Sequence, residues 1–279
     1  MRVTKSLRKR SLFVLFVSIV ILIPAQAAWA QTEEDPFEGL PEEGQARFDA
    51  LQERAVAARD AGDTETALVM YEEMQRLAPD SGEILYNRGT LHLEREEYDR
   101  AITLLSRAEE AGYQEAAVFY NRGNALFYRG QIEDAREEYR RARELSPEDP
   151  EILNNLGLAE LRLEALDNAE ERFLEAAERD ESYPDPLFHL AEVYESQGLP
   201  DEAETALTEA IARSETFTEA FYNRGTLRYR RDDYAAAFDD FLEAHRLAPD
   251  DRDILYNLGV AAIATATERA PRIIIDEKE

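Results

Sequence analysis

The histidines and carboxylates of this chain are spaced too widely to build a catalytic or metal-binding site. His92, His189 and His245 are far apart, and none has a second histidine three or four residues away, as ligation from one helix requires. The acidic residues never form the D-x-[DN]-x-[DN]-G loop that calcium needs. Motifs for a nucleophile elbow, a P-loop or a zinc protease are also missing. We therefore predict no enzymatic activity, no cofactor and no metal, and ordinary surface or groove roles for the histidines.

Asparagine and aromatic side chains, by contrast, recur at a fixed interval that suits the binding of a polypeptide. An amide side chain has both a donor and an acceptor, so it can pair with a peptide unit whatever the bound side chains are. Aromatic residues add a large contact area at little entropic cost. The asparagines, spaced by multiples of 34 residues, are Asn87, Asn121, Asn155, Asn223 and Asn257. The aromatic residues one position before this register are Tyr86, Tyr120, Phe188, Tyr222 and Tyr256.

The same 34-residue interval organises most of the chain. One series of small residues is Gly89, Gly123, Gly157, Ala191, Gly225 and Gly259. A second series is Ala67, Ala101, Ala135, Ala169, Ala203 and Ala237. A fixed period of this length is typical of a solenoid, which offers an extended surface for binding rather than a pocket for chemistry.

Each repeat contains two amphipathic helices, A and B. With Phe48 as position 1, apolar or small residues fall near positions 4, 8 and 11 and again near 20, 24 and 27, which places each set on one helical face. Small residues at positions 8 and 20 allow close approach of the two helices, and we expect larger residues at position 24 to fill the gap to the neighbouring repeat. Proline at position 32 ends helix B in three repeats, and Asp185 before Pro186 is predicted to be an N-cap.

These residues resemble the tetratricopeptide repeat family. The resemblance implies an all-α fold, a superhelical solenoid of antiparallel helix pairs. The resemblance covers six repeats over 48–251 and a C-terminal capping helix at 252–266. Outside it, the residues themselves predict a signal peptide at 1–30, an acidic flexible leader at 31–47 and a tail at 267–279. In this family helix A lines the concave wall, where the asparagines stand at position 6 and the aromatic residues at position 5.

The asparagine row is similar to the ladder in the repeat domain of the glycosyltransferase that attaches N-acetylglucosamine to serine and threonine. That similarity implies that the asparagines clamp an extended peptide backbone, with side chains that face water in the free protein. If A helices step by roughly 10 Å, repeats 2 to 7 span about 50 Å, or about 15 extended residues. The alternative is structural, because asparagine is frequent at this position and the aromatic residues can pack between A helices. Arg88, Arg122 and Arg224 at position 7 are expected to face inward and take no part in a clamp.

The N-terminus has the pattern of a secretory signal peptide. The basic stretch MRVTKSLRKR precedes the apolar run Leu12 to Ile23 and the exit Ala28-Trp29-Ala30. A retained membrane anchor is the alternative, but the run is shorter than the ~20 apolar residues that a bilayer needs. Cleavage after Ala30 would place the mature chain in the periplasm or outside the cell. The chain has no cysteine, which is compatible with an oxidising compartment.

The strong negative charge restricts the class of partner. The full chain carries −28, and loss of the leader removes five basic residues and no acid, leaving −33. Such a surface repels nucleic acid and anionic lipid but attracts basic proteins. A proteome-wide composition bias is the alternative explanation of the charge, and the one we favour, since net charge concerns solubility and association more than any one site. We therefore predict an exported scaffold that binds protein or peptide partners and organises a cell-envelope complex. The alternative is a structural assembly factor for secretion, pili or outer-membrane biogenesis.

Overall fold

The computed structural model describes residues 44–269, and this part of the chain consists of α-helices joined by short turns. It belongs to one compact unit, Leu40–Glu279; the other unit, Met1–Gly39, which contains the predicted signal peptide, lies outside the described residues, as does the chain beyond 269. The described helices are α1 (Gly44–Asp60), α2 (Thr64–Leu77), α3 (Gly82–Glu94), α4 (Tyr98–Glu110), α5 (Ala116–Tyr128), α6 (Ile132–Leu145), α7 (Pro150–Arg162), α8 (Leu166–Arg179), α9 (Asp185–Gln197), α10 (Pro200–Arg213), α11 (Thr218–Arg230), α12 (Tyr234–Leu247) and α13 (Arg252–Arg269).

The helices form a regular series of pairs. Odd-numbered helices are the predicted A helices and even-numbered ones the B helices, and each helix packs against the next one along the chain. Successive A helices also contact each other, as α3 does with α5, α5 with α7 and α7 with α9. The A helices therefore line the side on which neighbouring repeats come closest. The predicted all-α solenoid of antiparallel helix pairs is confirmed.

Glycine at position 8 makes the close approach within a repeat possible. A methyl group added at Gly123 would lie only 2.7 Å from the ring of Tyr139, and one at Gly157 would lie 2.8 Å from the ring of Phe173. The large residue at position 24 therefore fills space inside its own repeat. Tyr139 also packs with Leu156 of the next repeat, so the expectation that position 24 serves the neighbouring repeat was correct but incomplete.

Several helix boundaries agree with the sequence, and three differ. Helices α2, α6 and α12 end two residues before Pro79, Pro147 and Pro249, the prolines that were predicted to end helix B. The predicted N-cap at Asp185 is wrong, because α9 begins at this residue and Pro184 occupies the cap. Helix α1 begins at Gly44, four residues before Phe48, and α13 extends three residues beyond 266 to Arg269. No helix within 44–269 combines the length and apolar character needed to cross a bilayer.

Candidate functional site

The inner face of the A helices is held together by hydrogen bonds between asparagines and tyrosines of neighbouring repeats. In each bond the amide nitrogen at position 6 donates to the hydroxyl oxygen at position 5 of the preceding repeat. The pairs are Asn121 with Tyr86 at 3.3 Å, Asn155 with Tyr120 at 3.0 Å, and Asn257 with Tyr222 at 2.8 Å. In each pair the tyrosine lies 35 residues before the asparagine. It belongs to the A helix of the preceding repeat and stands one position before the asparagine of that repeat.

This network corrects the prediction that the asparagine side chains face water in the free protein. Asn155 is only 3% exposed, and its amide nitrogen also donates to Asn124 Oδ1 at 3.0 Å. Asn121 donates a second hydrogen bond to Thr90 Oγ1 at 3.2 Å. The amide donors of these asparagines already serve the contact between repeats, which favours the structural alternative for them.

The other two predicted asparagines keep more of their hydrogen-bonding capacity. Asn223 follows a repeat whose position 5 is Phe188, which has no hydroxyl group; Asn223 is half-buried and makes no side-chain hydrogen bond within the described part of the chain. Asn87 accepts one long bond from Arg59, at 3.5 Å, and lines a pocket of about 140 Å³ between α1, α2 and α3. These two amides remain available to a ligand.

The aromatic row is partly exposed, with one exception. Tyr256 is 68% exposed, and Tyr86, Tyr120 and Tyr222 are half-buried. Burial raises the pKa of Tyr120 and of Tyr222, so both hydroxyls stay protonated near neutral pH. Phe188 is 4% exposed and packs against Phe217, with ring centroids 5.1 Å apart, so it does not present its ring to solvent as a groove residue should.

Two of the three histidines are buried, which corrects the expectation of surface or groove positions. His92 is 6% exposed, with Nδ1 at 2.9 Å from Glu97 Oε2. His189 is fully buried, packs on the rings of Phe173 and Phe188, and neither of its ring nitrogens has a hydrogen-bond partner. His245 is half-buried. Within residues 44–267 no three His, Cys, Asp or Glu side chains come together as metal ligands.

The arginines at position 7 face inward, as predicted. Arg122 is 5% exposed and pairs with Glu109 at 2.7 Å and Glu138 at 2.5 Å, which lie on two consecutive B helices. Arg224 pairs with Asp240 at 2.7 Å. These guanidinium groups join helices within the solenoid and are not available as a clamp for a ligand.

A second row of polar residues was missed by the sequence analysis. Carboxylates stand at position 2, in the first turn of five A helices: Glu83, Glu151, Asp185, Glu219 and Asp253. Two of them lie beside the aromatic row: Tyr120 Oη is 3.5 Å from Glu151 Oε2, and the charge of Asp253 acts on Tyr222. Burial raises the pKa of Asp185 and of Glu151. The 34-residue interval was a signal that could have revealed this row.

Comparison with known proteins agrees with this architecture. Family models described as tetratricopeptide repeat match residues 58–120 and 188–252, and one described as TPR repeat matches residues 123–164. The chain belongs to the tetratricopeptide repeat family. This family is a non-catalytic protein-interaction module, so the chain is a protein-interaction scaffold. No curated protein matches the chain.

Several solved structures share the tetratricopeptide repeat fold. PilF of Pseudomonas aeruginosa superposes with a TM-score of 0.64 at 19% identity, over 77% of this chain and 96% of that one. MamA of Desulfovibrio magneticus RS-1 gives a TM-score of 0.58 at 20% identity, over 61% of this chain and 96% of MamA. YrrB, described as a TPR protein with an unusual peptide-binding site, gives 0.53 at 20% identity, over 67% and 96% of the two chains.

Proposed function

We propose that this protein is exported and binds extended polypeptide segments along the inner face of its A helices, organising a complex at the cell envelope. The observation that carries the proposal is the aromatic row, because Tyr86, Tyr120, Tyr222 and Tyr256 keep part of their surface exposed at intervals of one or more whole repeats. A polypeptide laid across several A helices would contact these rings in turn. Aromatic side chains at such surfaces commonly contribute much of the binding energy.

The available amides add hydrogen bonding to this contact surface. Asn87 and Asn223 can pair with peptide groups of the bound segment, while Asn121, Asn155 and Asn257 keep the neighbouring A helices in register. The proposed site is therefore a set of exposed aromatic rings with a few free amides, on a surface that internal hydrogen bonds make rigid. A pre-organised surface loses less entropy when it binds.

Affinity purification with a photo-crosslinking residue in the groove tests this proposal. A photoreactive phenylalanine analogue in place of Tyr222 or Tyr256 is expected to crosslink a partner from the envelope of the native host. The matched control places the same analogue at Leu174 or Leu242, which are exposed on B helices. Crosslinking that is equal at both sets of positions, or stronger on the B helices, would contradict binding on the inner face.

The proposal of export rests on the leader sequence. The basic stretch, the apolar run and Ala28-Trp29-Ala30 predict a mature N-terminus at Gln31. N-terminal sequencing of protein from envelope fractions should give the sequence that begins at Gln31. Recovery of the intact chain with Met1 from the cytoplasm would refute export.

A structural role in an assembly is the second candidate, and the end of the solenoid favours it. Helix α13 has no B helix after it within the described residues, and Leu255 and Ile263 are 52% and 69% exposed. A methyl group at Gly259 would meet nothing within 4 Å, whereas the equivalent glycines pack against a B helix. Self-association that is lost on changing Leu255 and Ile263 to glutamate would favour this role, and a strict monomer in light scattering would exclude it.

A further inference from the structure

The carboxylate row at position 2 is free of ion pairs, although this chain pairs many of its other acids. None of Glu83, Glu151, Asp185, Glu219 and Asp253 lies within 4.0 Å of a basic group in the described structure. The first turn of a helix favours an acid because of the helix dipole, and that explains their position. Acids in the first turns of B helices have the same advantage, yet several of them also pair with arginine, among them Glu65 with Arg95, Asp99 with Arg129 and Asp201 with Arg231.

The fourth and fifth repeats also contain buried polar atoms that make no hydrogen bond within the described residues. Asp185, His189 and Glu192 follow one another on the inner face of α9, at positions 2, 6 and 9. His189 Nδ1 is 3.7 Å from Glu192 Oε2, which is within ion-pair distance but too long for a hydrogen bond, and that oxygen accepts no hydrogen bond. Asn154 stands at position 5 of the fourth repeat, where repeats 2, 3 and 6 have a tyrosine; it is 1% exposed, and its Oδ1 accepts no hydrogen bond. The carboxylate of Glu192 adds a second negative charge on the same face of α9 as Asp185, which favours a positively charged ligand at this point of the row.

The spacing of the row restricts the shape of such a ligand. The carboxylates of repeats 4 to 7 come from consecutive A helices, which step by roughly 10 Å. A polyproline-II segment has three residues per turn and rises about 9.3 Å per turn, so residues i, i+3 and i+6 project from the same side at nearly this interval. A β-strand would place residues three apart on opposite sides. The row therefore matches charges carried at every third residue.

We propose that the partner is an extended, polyproline-II-like segment with arginine or lysine at every third residue, which places one cation beside each position-2 carboxylate. This inference rests on the proposed binding along the inner face and names the partner for that site. Tyr120 lies next to Glu151 and Tyr222 next to Asp253, so these two rings can stack on the same cations. The anchor is the fifth repeat, where Asp185 and Glu192 stand on either side of His189.

Fluorescence anisotropy with synthetic peptides tests the spacing. The probe is a labelled 15-residue peptide with arginine at every third residue and alanine and proline between. A peptide of identical composition with its arginines in one block is the control for net charge, and a third peptide carries glutamine in place of arginine. We expect the spaced peptide to bind at least about tenfold more tightly than the block peptide. Equal binding of the spaced and block peptides would overturn the proposal.

Matched variants test the carboxylates themselves. Changing Glu151→Gln, Asp185→Asn and Glu219→Gln together should weaken binding of the spaced peptide by about tenfold, on the usual scale of exposed ion pairs. The control removes three exposed, unpaired acids from B helices (Glu144→Gln, Glu178→Gln and Glu209→Gln) and should change binding by less than about twofold. Equal losses in the two triple variants would show an effect of net charge alone and would overturn the proposal.

A gain of binding is also expected from filling the gap in the row. Repeat 3 has the exposed Ala117 at position 2, between Glu83 and Glu151. Ala117→Glu should tighten binding of the spaced peptide about two- to threefold. Unchanged affinity would contradict the proposal that the position-2 carboxylates bind the cations of the peptide. The crosslinking variants at Tyr222 and Tyr256 separate this inference from the proposed function. If they crosslink the glutamine peptide as strongly as the arginine peptide, the requirement for spaced cations is wrong, while binding on the inner face stands. If every peptide crosslinks to the B helices instead, both fail.

Discussion

Asn155→Ala is expected to destabilise the solenoid, whereas the same change at Asn223 should have little effect. The amide nitrogen of Asn155 donates to Tyr120 Oη and to Asn124 Oδ1, both at 3.0 Å, and the residue is 3% exposed. Asn223 is half-buried and makes no comparable bond within the described residues. The two asparagines occupy the same position of their repeats, so each is a control for the other.

The magnitude follows from three lost hydrogen bonds and from the buried partners they leave behind: two bonds are donated by the Asn155 amide nitrogen, and one is accepted by its Oδ1 from Asn154 Nδ2 at 3.3 Å. Each bond contributes about 0.5–1.5 kcal/mol, and a buried polar group left without its partner costs about 1–3 kcal/mol. We expect Asn155→Ala to lower the free energy of unfolding by about 2–3 kcal/mol. A chain of this size should lose about 2–4 °C in melting temperature per kcal/mol. Asn223→Ala should stay within about 0.5 kcal/mol of the parent.

Urea denaturation followed by circular dichroism would measure both variants, with hydrogen exchange to locate the loss. In a repeat protein the loss should be concentrated in repeats 3 and 4, because each repeat contacts only its neighbours. Combining Asn155→Ala with Tyr120→Phe in a double-mutant cycle should give a coupling energy of about 0.5–1.5 kcal/mol. Equal stabilities of Asn155→Ala and Asn223→Ala, or no coupling to Tyr120, would refute the structural role assigned to the hydrogen bonds between asparagines and tyrosines.

The remaining predictions concern packing and pH. Gly123→Ala should destabilise by about 1–3 kcal/mol, because its methyl group would lie 2.7 Å from the ring of Tyr139. Gly259→Ala meets nothing within 4 Å and should stabilise α13 by about 0.5–1 kcal/mol; thermal melts in which the two variants shift the same way would contradict this. Asp185→Asn should stabilise the protein at pH 7, because burial raises the pKa of Asp185 in the folded state and so disfavours its charged form. The protonated Asp185 contributes its full stability below the unfolded pKa, and this contribution is lost as the pH rises through the folded pKa. The advantage of the asparagine variant should therefore shrink toward about pH 4 in urea titrations, and a difference that does not depend on pH would rule out burial of the carboxylate as its cause.

The repeat architecture was predictable because its signals are local or strictly periodic. Glycine at position 8 and alanine at position 20 mark the contact between helices A and B. The turn at Gly130 follows from its backbone angle φ of 86°, which is unfavourable for other residues. Proline two residues after α2, α6 and α12 ends those helices wherever they lie in space. These features need no knowledge of how one repeat rotates against the next.

The sequence by itself determined the period, the helix pairs and the positions that face the inner surface. Only the tertiary structure decided which of these polar groups are still free to bind. Asn155 and Asn223 occupy the same register position, but Asn155 donates a hydrogen bond to Tyr120, whereas the residue 35 positions before Asn223 is Phe188, which has no hydroxyl group. That difference depends on a residue 35 positions away on another helix, and on a separation of 3.0 Å that composition and periodicity do not contain. A hydrogen bond is made or lost over a few tenths of an ångström, and packing between repeats sets distances on that scale.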